Sequence, residues 1–190
     1  SDQKADFLKS LFKETYISDI IGRNKVRNKV ELEELLNILS SAIGSLTNPS
    51  KLSATYKSIK NKTISQTTIK RYIEYLCDSF LIDSAIRYDV KGKKYIDTPA
   101  KYYFTDLGLR NARLNFRQVE ETHAMENIIF NELKVRGFNV DVGVIPINEK
   151  DKNGKNIRKQ LEIDYMIGAN ELYDVAKFAV KGTTIGAPVA

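Results

Sequence analysis

Gln66, Thr67, Lys70 and Arg71 crowd the first half of one amphipathic stretch, and Lys91, Lys93 and Lys94 cluster in the turn Lys91-Gly92-Lys93-Lys94. Amide, hydroxyl, ammonium and guanidinium groups so grouped do no covalent chemistry. They donate hydrogen bonds and neutralise anions, which is what the phosphates and base edges of a nucleic acid ask of a protein. A second set is acidic: Glu126 lies in a helical run, and Glu162 and Asp164 share one face of the strand-like run Gln160 to Ile167. Other chemistries are thinly supplied. His123 is the only histidine, with no Ser or Cys nucleophile identifiable beside it, so multi-histidine metal sites are excluded and it reads as a surface or capping residue. Cys77 is the only cysteine, which excludes an internal disulfide framework and a cysteine-based zinc site. Asp151-Lys152-Asn153-Gly154 lacks the spacing and closing Glu of a calcium loop and reads as a turn.

The elements that must hold the basic set are legible around it. Ile69, Tyr72, Ile73, Leu76 and Phe80 recur at helical spacing and predict one buried face, Ser65 is placed to cap the first turn, and Ile64 to pack on Ile69. Upstream, Asn48-Pro49-Ser50 opens a shorter helix carrying Leu52, Tyr56 and Ile59, and Lys60-Asn61-Lys62-Thr63 is the turn between the two. Downstream, Ile82, Ser84, Ile86, Tyr88 and Val90 alternate with Asp83, Ala85, Arg87 and Asp89, and a second strand begins at Tyr95. Helix, turn, helix and a hairpin with a basic tip is the layout of a winged helix, whose second helix enters the major groove while the hairpin lies on phosphates.

Charge agrees with that layout. Twelve Lys or Arg stand against six Asp or Glu between Lys51 and Arg110, an excess equal to the +6 of all 190 residues. The excess is local to the candidate reader. A hydrophobic content of 42% beside 28% charged residues is that of a globular protein of one or two domains. No apolar run reaches the ~20 residues of a membrane span, and Ser1-Asp2-Gln3-Lys4 is no signal-peptide start, so a cytoplasmic protein without membrane contact is expected.

Elsewhere, Phe7, Leu8, Leu11, Phe12 and Tyr16 predict an N-terminal amphipathic helix, followed by a basic connector through Arg27. A third helix carries Leu32, Leu35, Leu36, Leu39 and Ile43 behind Glu31, Glu33 and Glu34, with Gly44 as its stop. The last third predicts a helix from about His123 to Arg136 with Met125, Ile128, Ile129 and Leu133 inward and Gly137 closing it. Beyond it come a strand from Asn139 to Ile145, a charged loop from Glu149 to Arg158, the Gln160 strand and a further strand from Leu172 to Val180.

Three runs carry a family resemblance: Leu11 to Arg23, Thr67 to Leu76, and Lys101 to Ala112. Together they resemble the C-terminal region, DUF4143, of a prokaryotic family of AAA-type ATPases, over about residues 7 to 168. The resemblance implies an α+β protein in which a winged helix is followed by a restriction-endonuclease-like α/β domain of the PD-(D/E)xK class, here incomplete. Its implied divisions are an N-terminal helix and connector at 1–29, the winged helix at 30–112 and the nuclease-like module at 113–190. It further implies the parent's ATPase domain as a partner. No G-x-x-x-x-G-K-[ST] occurs, so ATP hydrolysis would belong to a part not included here, and the abrupt helical start suggests an excised piece.

By the same resemblance Glu126 and Asp164 take the first two carboxylate positions of a Mg²⁺-dependent nuclease, with Asp174 the third. In Asp174-Val175-Ala176-Lys177, Ala176 stands where the pattern wants Lys, and Lys177 falls on the other face. The reading is therefore a non-catalytic accessory region that binds nucleic acid, DNA in preference, through Gln66, Thr67, Lys70, Arg71, Lys91, Lys93 and Lys94. No cofactor is expected, Mg²⁺ entering only with the nuclease alternative. A protein-docking or oligomerisation module is the other alternative, and an open sheet edge after Val180 would favour a homodimer.

Overall fold

The computed structural model describes residues 2–117, 120–150 and 156–167. It is an α+β protein. In chain order come α1 (Asp2–Ser10), a π-helical stretch (Leu11–Ile17), α2 (Ser18–Arg23), α3 (Lys29–Ser41), α4 (Pro49–Lys60) and α5 (Gln66–Asp78). They are followed by β1 (Ile82–Asp89), β2 (Lys94–Phe104), α6 (Leu107–Arg113), α7 (Glu121–Val135), β3 (Val140–Lys150) and β4 (Asn156–Ile167). The strands form one mixed sheet in the order β2-β1-β3-β4, with β1 parallel to β3 and β3 antiparallel to β4. No helix among the described residues is long and apolar enough to cross a membrane. Two compact units divide the chain: Ser1–Ser84 with Lys101–Asn131, and Ala85–Ala100 with Glu132–Ala190.

The first unit is helical, and its boundaries are set by side-chain caps. Asn28 accepts from the Glu31 amide ahead of α3, and Asn48 accepts from the Lys51 amide at 2.7 Å ahead of α4, where Pro49 occupies a first-turn position that needs no N–H. Ser65 Oγ accepts from the Thr68 amide at 3.0 Å ahead of α5, and Ile64 is buried beside it. Leu32, Leu35, Leu36, Leu39, Leu52, Tyr56, Ile69 and Leu76 supply the core between α3, α4 and α5.

Several apolar residues expected inside stand outside, each for a local reason. Phe7 is exposed while Phe12, Ile17 and Ile20 are buried, because the π-helical stretch widens the turn and changes the phase of the buried stripe. Ile59 is exposed where the facing positions of α3 are the polar Glu34 and Asn37. Phe80 is 79% exposed, although it falls on the predicted helical stripe. It adopts φ +55°, its amide bonds to the Cys77 carbonyl, and the Leu81 amide bonds to the Leu76 carbonyl. That Schellman-type ending swings Phe80 out and sends Leu81 into the core in its place.

The hairpin and the segment after it also depart from simple periodicity. Along β1, Ile82 and Ala85 are the buried residues rather than Ile82, Ser84 and Ile86. In β2 every residue from Ala100 to Phe104 is buried. Asp106 caps α6 through the amides of Gly108 and Leu109. Arg110 is buried and donates from Nε to the Ser40 carbonyl at 2.8 Å, while Arg113 binds Asn37 and Glu33 and lies over the Phe12 ring. On α7 the buried residues are Asn127 and Phe130, while Met125 and Ile128, predicted inward, are exposed. The phase moves because Asn127 enters the core to bond both backbone groups of Phe104, at 2.8 and 2.7 Å.

In the second unit Val140, Val142 and Val144 form the buried row of β3. The β3–β4 ladder is longer than the sequence implies, running to Lys150 opposite Asn156, so the described residues of the predicted charged loop, Glu149, Lys150 and 156–158, are strand. A register shift between Asp141 and Gly143 marks a bulge, and a Cβ on Gly143 would come within 2.9 Å of Ile163 and Met166 atoms. Tyr88 and Tyr95 meet edge to face at 5.0 Å. The strand predicted from Leu172 to Val180 lies outside the described residues.

Candidate functional site

Burial of Ile69, Tyr72, Ile73 and Leu76 on one side of α5 leaves Gln66, Thr67, Lys70 and Arg71 exposed on the other. Gln66 with Lys70, and Thr67 with Arg71, are separated by four residues and so stand one above the other on a single face. The Ser65 cap fixes where that face starts, and the positive end of the helix dipole adds to its cationic character. None of these four side chains forms an ion pair or side-chain hydrogen bond among the described residues, so their donors are turned to solvent. Lys57 and Lys62, at the end of α4 and in the turn, are exposed and unpaired as well. Lys60 is not, because it holds Glu34 at 2.8 Å. Sequence reasoning counted Lys57 and Lys62 in the charge excess without assigning them a contact.

The hairpin tip belongs to the second unit. Asp89 folds its carboxylate over the turn, accepting from the amides of Lys91 and Gly92 at 3.1 and 2.9 Å. Lys91 donates from Nζ to the Pro146 carbonyl at 3.1 Å, whereas Lys93 and Lys94 are exposed without a side-chain partner among the described residues. Lys93, and not Gly92, adopts the left-handed backbone, with φ +49°.

The acidic candidates are placed separately. Glu126, on α7, is half-buried in the first unit, where its Oε1 accepts from Lys101 Nζ at 2.8 Å and from the Tyr103 hydroxyl at 2.6 Å. His123 lies one turn back, its Nδ1 3.7 Å from Glu126 Oε2 and its Nε2 3.5 Å from Glu120. Asp164 is on β4 in the second unit, and Asp174 falls outside the described residues. Among the described residues no group of three or more His, Cys, Asp or Glu side chains could hold a metal ion. Lys101 and Tyr103 went unnoticed in the sequence. The signal was a lone charge inside the apolar and aromatic run Ala100-Lys101-Tyr102-Tyr103-Phe104, since a lysine so placed needs a buried carboxylate. Cys77 is half-buried, and desolvation pushes its thiol up to about 12, with Asp83 adding to the effect.

Residues 1–120 match the family described as "Domain of unknown function (DUF8612)", and the chain belongs to that family. It is 36% identical over 148 residues to an uncharacterized protein of Haemophilus influenzae, covering 78% of this chain and 37% of the relative. It is 28% identical over 164 residues to "Uncharacterized protein MJ1544" of Methanocaldococcus jannaschii, covering 86% of this chain and 34% of the relative. The chain thus spans about a third of the length of these relatives. No solved structure matches.

These matches overturn the resemblance to DUF4143 and the AAA-type ATPases, because the family is DUF8612 and the relatives carry no such description. Many positions in the three runs that suggested it are core or capping positions: Phe12, Ile20, Ile69, Leu76, Tyr103 and Leu109 are buried and Asp106 is a cap, and demands of that kind are shared by unrelated helical proteins. With it goes the reason to expect an ATPase partner.

Proposed function

We propose that this chain binds nucleic acid, with duplex DNA as the preferred form, through the α4–turn–α5 face, and does so without catalysis. The observation that carries the reading is the exposed, unpaired group Gln66, Thr67, Lys70 and Arg71 on the capped half of α5. Two helices joined by a short basic turn and followed by a hairpin are the parts of a winged helix, proposed here to occupy residues 30–112. In that arrangement Lys70 would take phosphate, while Gln66 and Arg71, whose planar groups bond bidentately to base edges, would carry sequence preference. The hairpin lysines Lys93 and Lys94 would add phosphate contacts of their own.

Charge adds to this: Lys57, Lys62 and Lys70, on α4, the turn and α5, form no ion pair among the described residues, as do Lys4, Lys9, Lys13 and Lys25 elsewhere on this unit, whereas Lys60 and Lys101 are already committed to Glu34 and Glu126. The test is a fluorescence-anisotropy titration of a labelled duplex at low and moderate salt, with and without Mg²⁺, followed by a gel. Binding that weakens steeply with salt and leaves the duplex intact is the expected result. No binding at either salt level would overturn the proposal in favour of protein docking. Cleaved duplex would overturn its non-catalytic half and direct attention to Glu126 and Asp164.

A further inference from the structure

A short connector joins α2 to α3, and the cations along it differ in their partners. Arg23, just before it, holds Asp19 at 3.3 Å, and Lys29, just after it, reaches Glu33 at 3.8 Å. Lys25 and Arg27, between them, are exposed and form no ion pair or side-chain hydrogen bond among the described residues. The backbone that carries these two is fixed at both ends. Asn24 donates from its amide and its side chain to the Ile20 carbonyl, and the Val26 amide bonds back to the Ile21 carbonyl around Lys25, whose φ is +48°. At the other end Asn28 caps α3 through the Glu31 amide.

The connector is also anchored on α5. The Tyr72 hydroxyl donates to the Asn28 carbonyl at 3.4 Å, which joins the residue after Arg27 to the residue after Arg71. Burial pushes that hydroxyl up, Glu31 adds to the effect and Arg71 opposes it, so the Arg71 charge lies near the same point. Successive Cα atoms are about 3.8 Å apart, which starts Arg27 one residue from the anchor and Lys25 within about 11 Å of it. With its side chains an α-helix is about 10–12 Å across, and the major groove is about 12 Å wide. A helix that fills the groove brings the segments beside it over the phosphates at its border. We propose that the connector makes a second contact with the backbone of the duplex that α5 reads, Lys25 and Arg27 each taking a phosphate at the edge of the groove. The inference rests on the α5 reading and extends it, from one helix face to a cationic strip that continues across Arg71 onto a different part of the chain.

Anisotropy titrations of a labelled duplex across a salt series test it on the 190-residue chain, with the fold of each variant checked by circular dichroism. Lys25→Ala with Arg27→Ala is expected to weaken binding on the order of tenfold, alike on every sequence, and to lower the salt slope by about 2. Lys9→Ala with Lys13→Ala removes the same charge from exposed, unpaired positions of α1 and the π-helical stretch, and is expected to bind as wild type does. A wild type that binds and is weakened by Lys70→Ala, yet is unaffected by the Lys25 and Arg27 changes, overturns this inference and leaves the α5 reading standing. Equal losses from the two pairs overturn it as well, since net charge alone would then account for both. No duplex binding at either end of the salt series overturns the α5 reading and this extension together.

Discussion

The Lys101 ammonium lies 2.8 Å from the Glu126 carboxylate, with only 3% of its side chain exposed and 12% of its partner's. A pair so buried is costly to break from one side, because the remaining charge keeps its desolvation and loses its compensation. Lys101→Ala should therefore reduce unfolding free energy by about 3–5 kcal/mol, whereas Lys101→Met with Glu126→Leu should lose much less. Urea denaturation of both variants checks this. A loss below about 1 kcal/mol for the single change would class the pair with exposed salt bridges.

Asn127 performs for β2 what another strand would otherwise do, bonding both the amide and the carbonyl of Phe104. Asn127→Leu keeps the volume and removes the partner of the Phe104 amide, while the Phe104 carbonyl keeps Asn131 at 2.9 Å. It should cost about 1–3 kcal/mol through one unsatisfied backbone group. The more specific sign is accelerated hydrogen exchange at the Phe104 amide, which a general loss of packing would not single out.

On α5 the two kinds of contact separate by experiment. Lys70→Ala should weaken duplex binding to a similar degree on every sequence and lower the salt slope by about 1. Arg71→Ala or Gln66→Ala should relax sequence preference, with about 1–3 kcal/mol lost on the preferred site. Lys93→Ala with Lys94→Ala measures the hairpin independently. Anisotropy titrations on two duplexes that leave all these variants equal to wild type would refute the contact assignment.

Acid sensitivity follows from Glu34. Burial works against its ionised form, but hydrogen bonds from Lys60 and Asn37 outweigh that and hold its carboxyl below the usual value. A group with a depressed folded pKa contributes stability that is present above its unfolded pKa and lost as pH falls through the folded one. The stability gap between wild type and Glu34→Gln should thus be constant from neutral pH to about 5 and shrink below about 4. Denaturation midpoints across that range give the answer, and a gap that widens on acidification would contradict it.

Local signals survived the passage from sequence to structure. Ser65, Asn48 and Pro49 mark helix starts through bonds that span three residues, and Gly137 closes α7 with φ +84° just past its end. Most of the exposed set on α5 was legible for the same reason: once Ile69, Tyr72 and Leu76 are inside, helix geometry alone turns Thr67, Lys70 and Arg71 outward. Phe80 shows the limit of that reasoning. A single left-handed residue exchanges it with Leu81, and hydropathy cannot distinguish two neighbouring apolar residues.

Sequence by itself determined where the helices begin, which face of α5 is wet and where positive charge accumulates, because each depends on neighbours within a few turns of chain. Tertiary structure alone decided that Glu126 would meet Lys101 and Tyr103, that Asn127 would sit in the core, and that Met125 and Ile128 would face outward. The physical reason is the same for all of these. A polar group enters a core only when a partner distant in sequence satisfies it, and that partner exists only once the chain has folded.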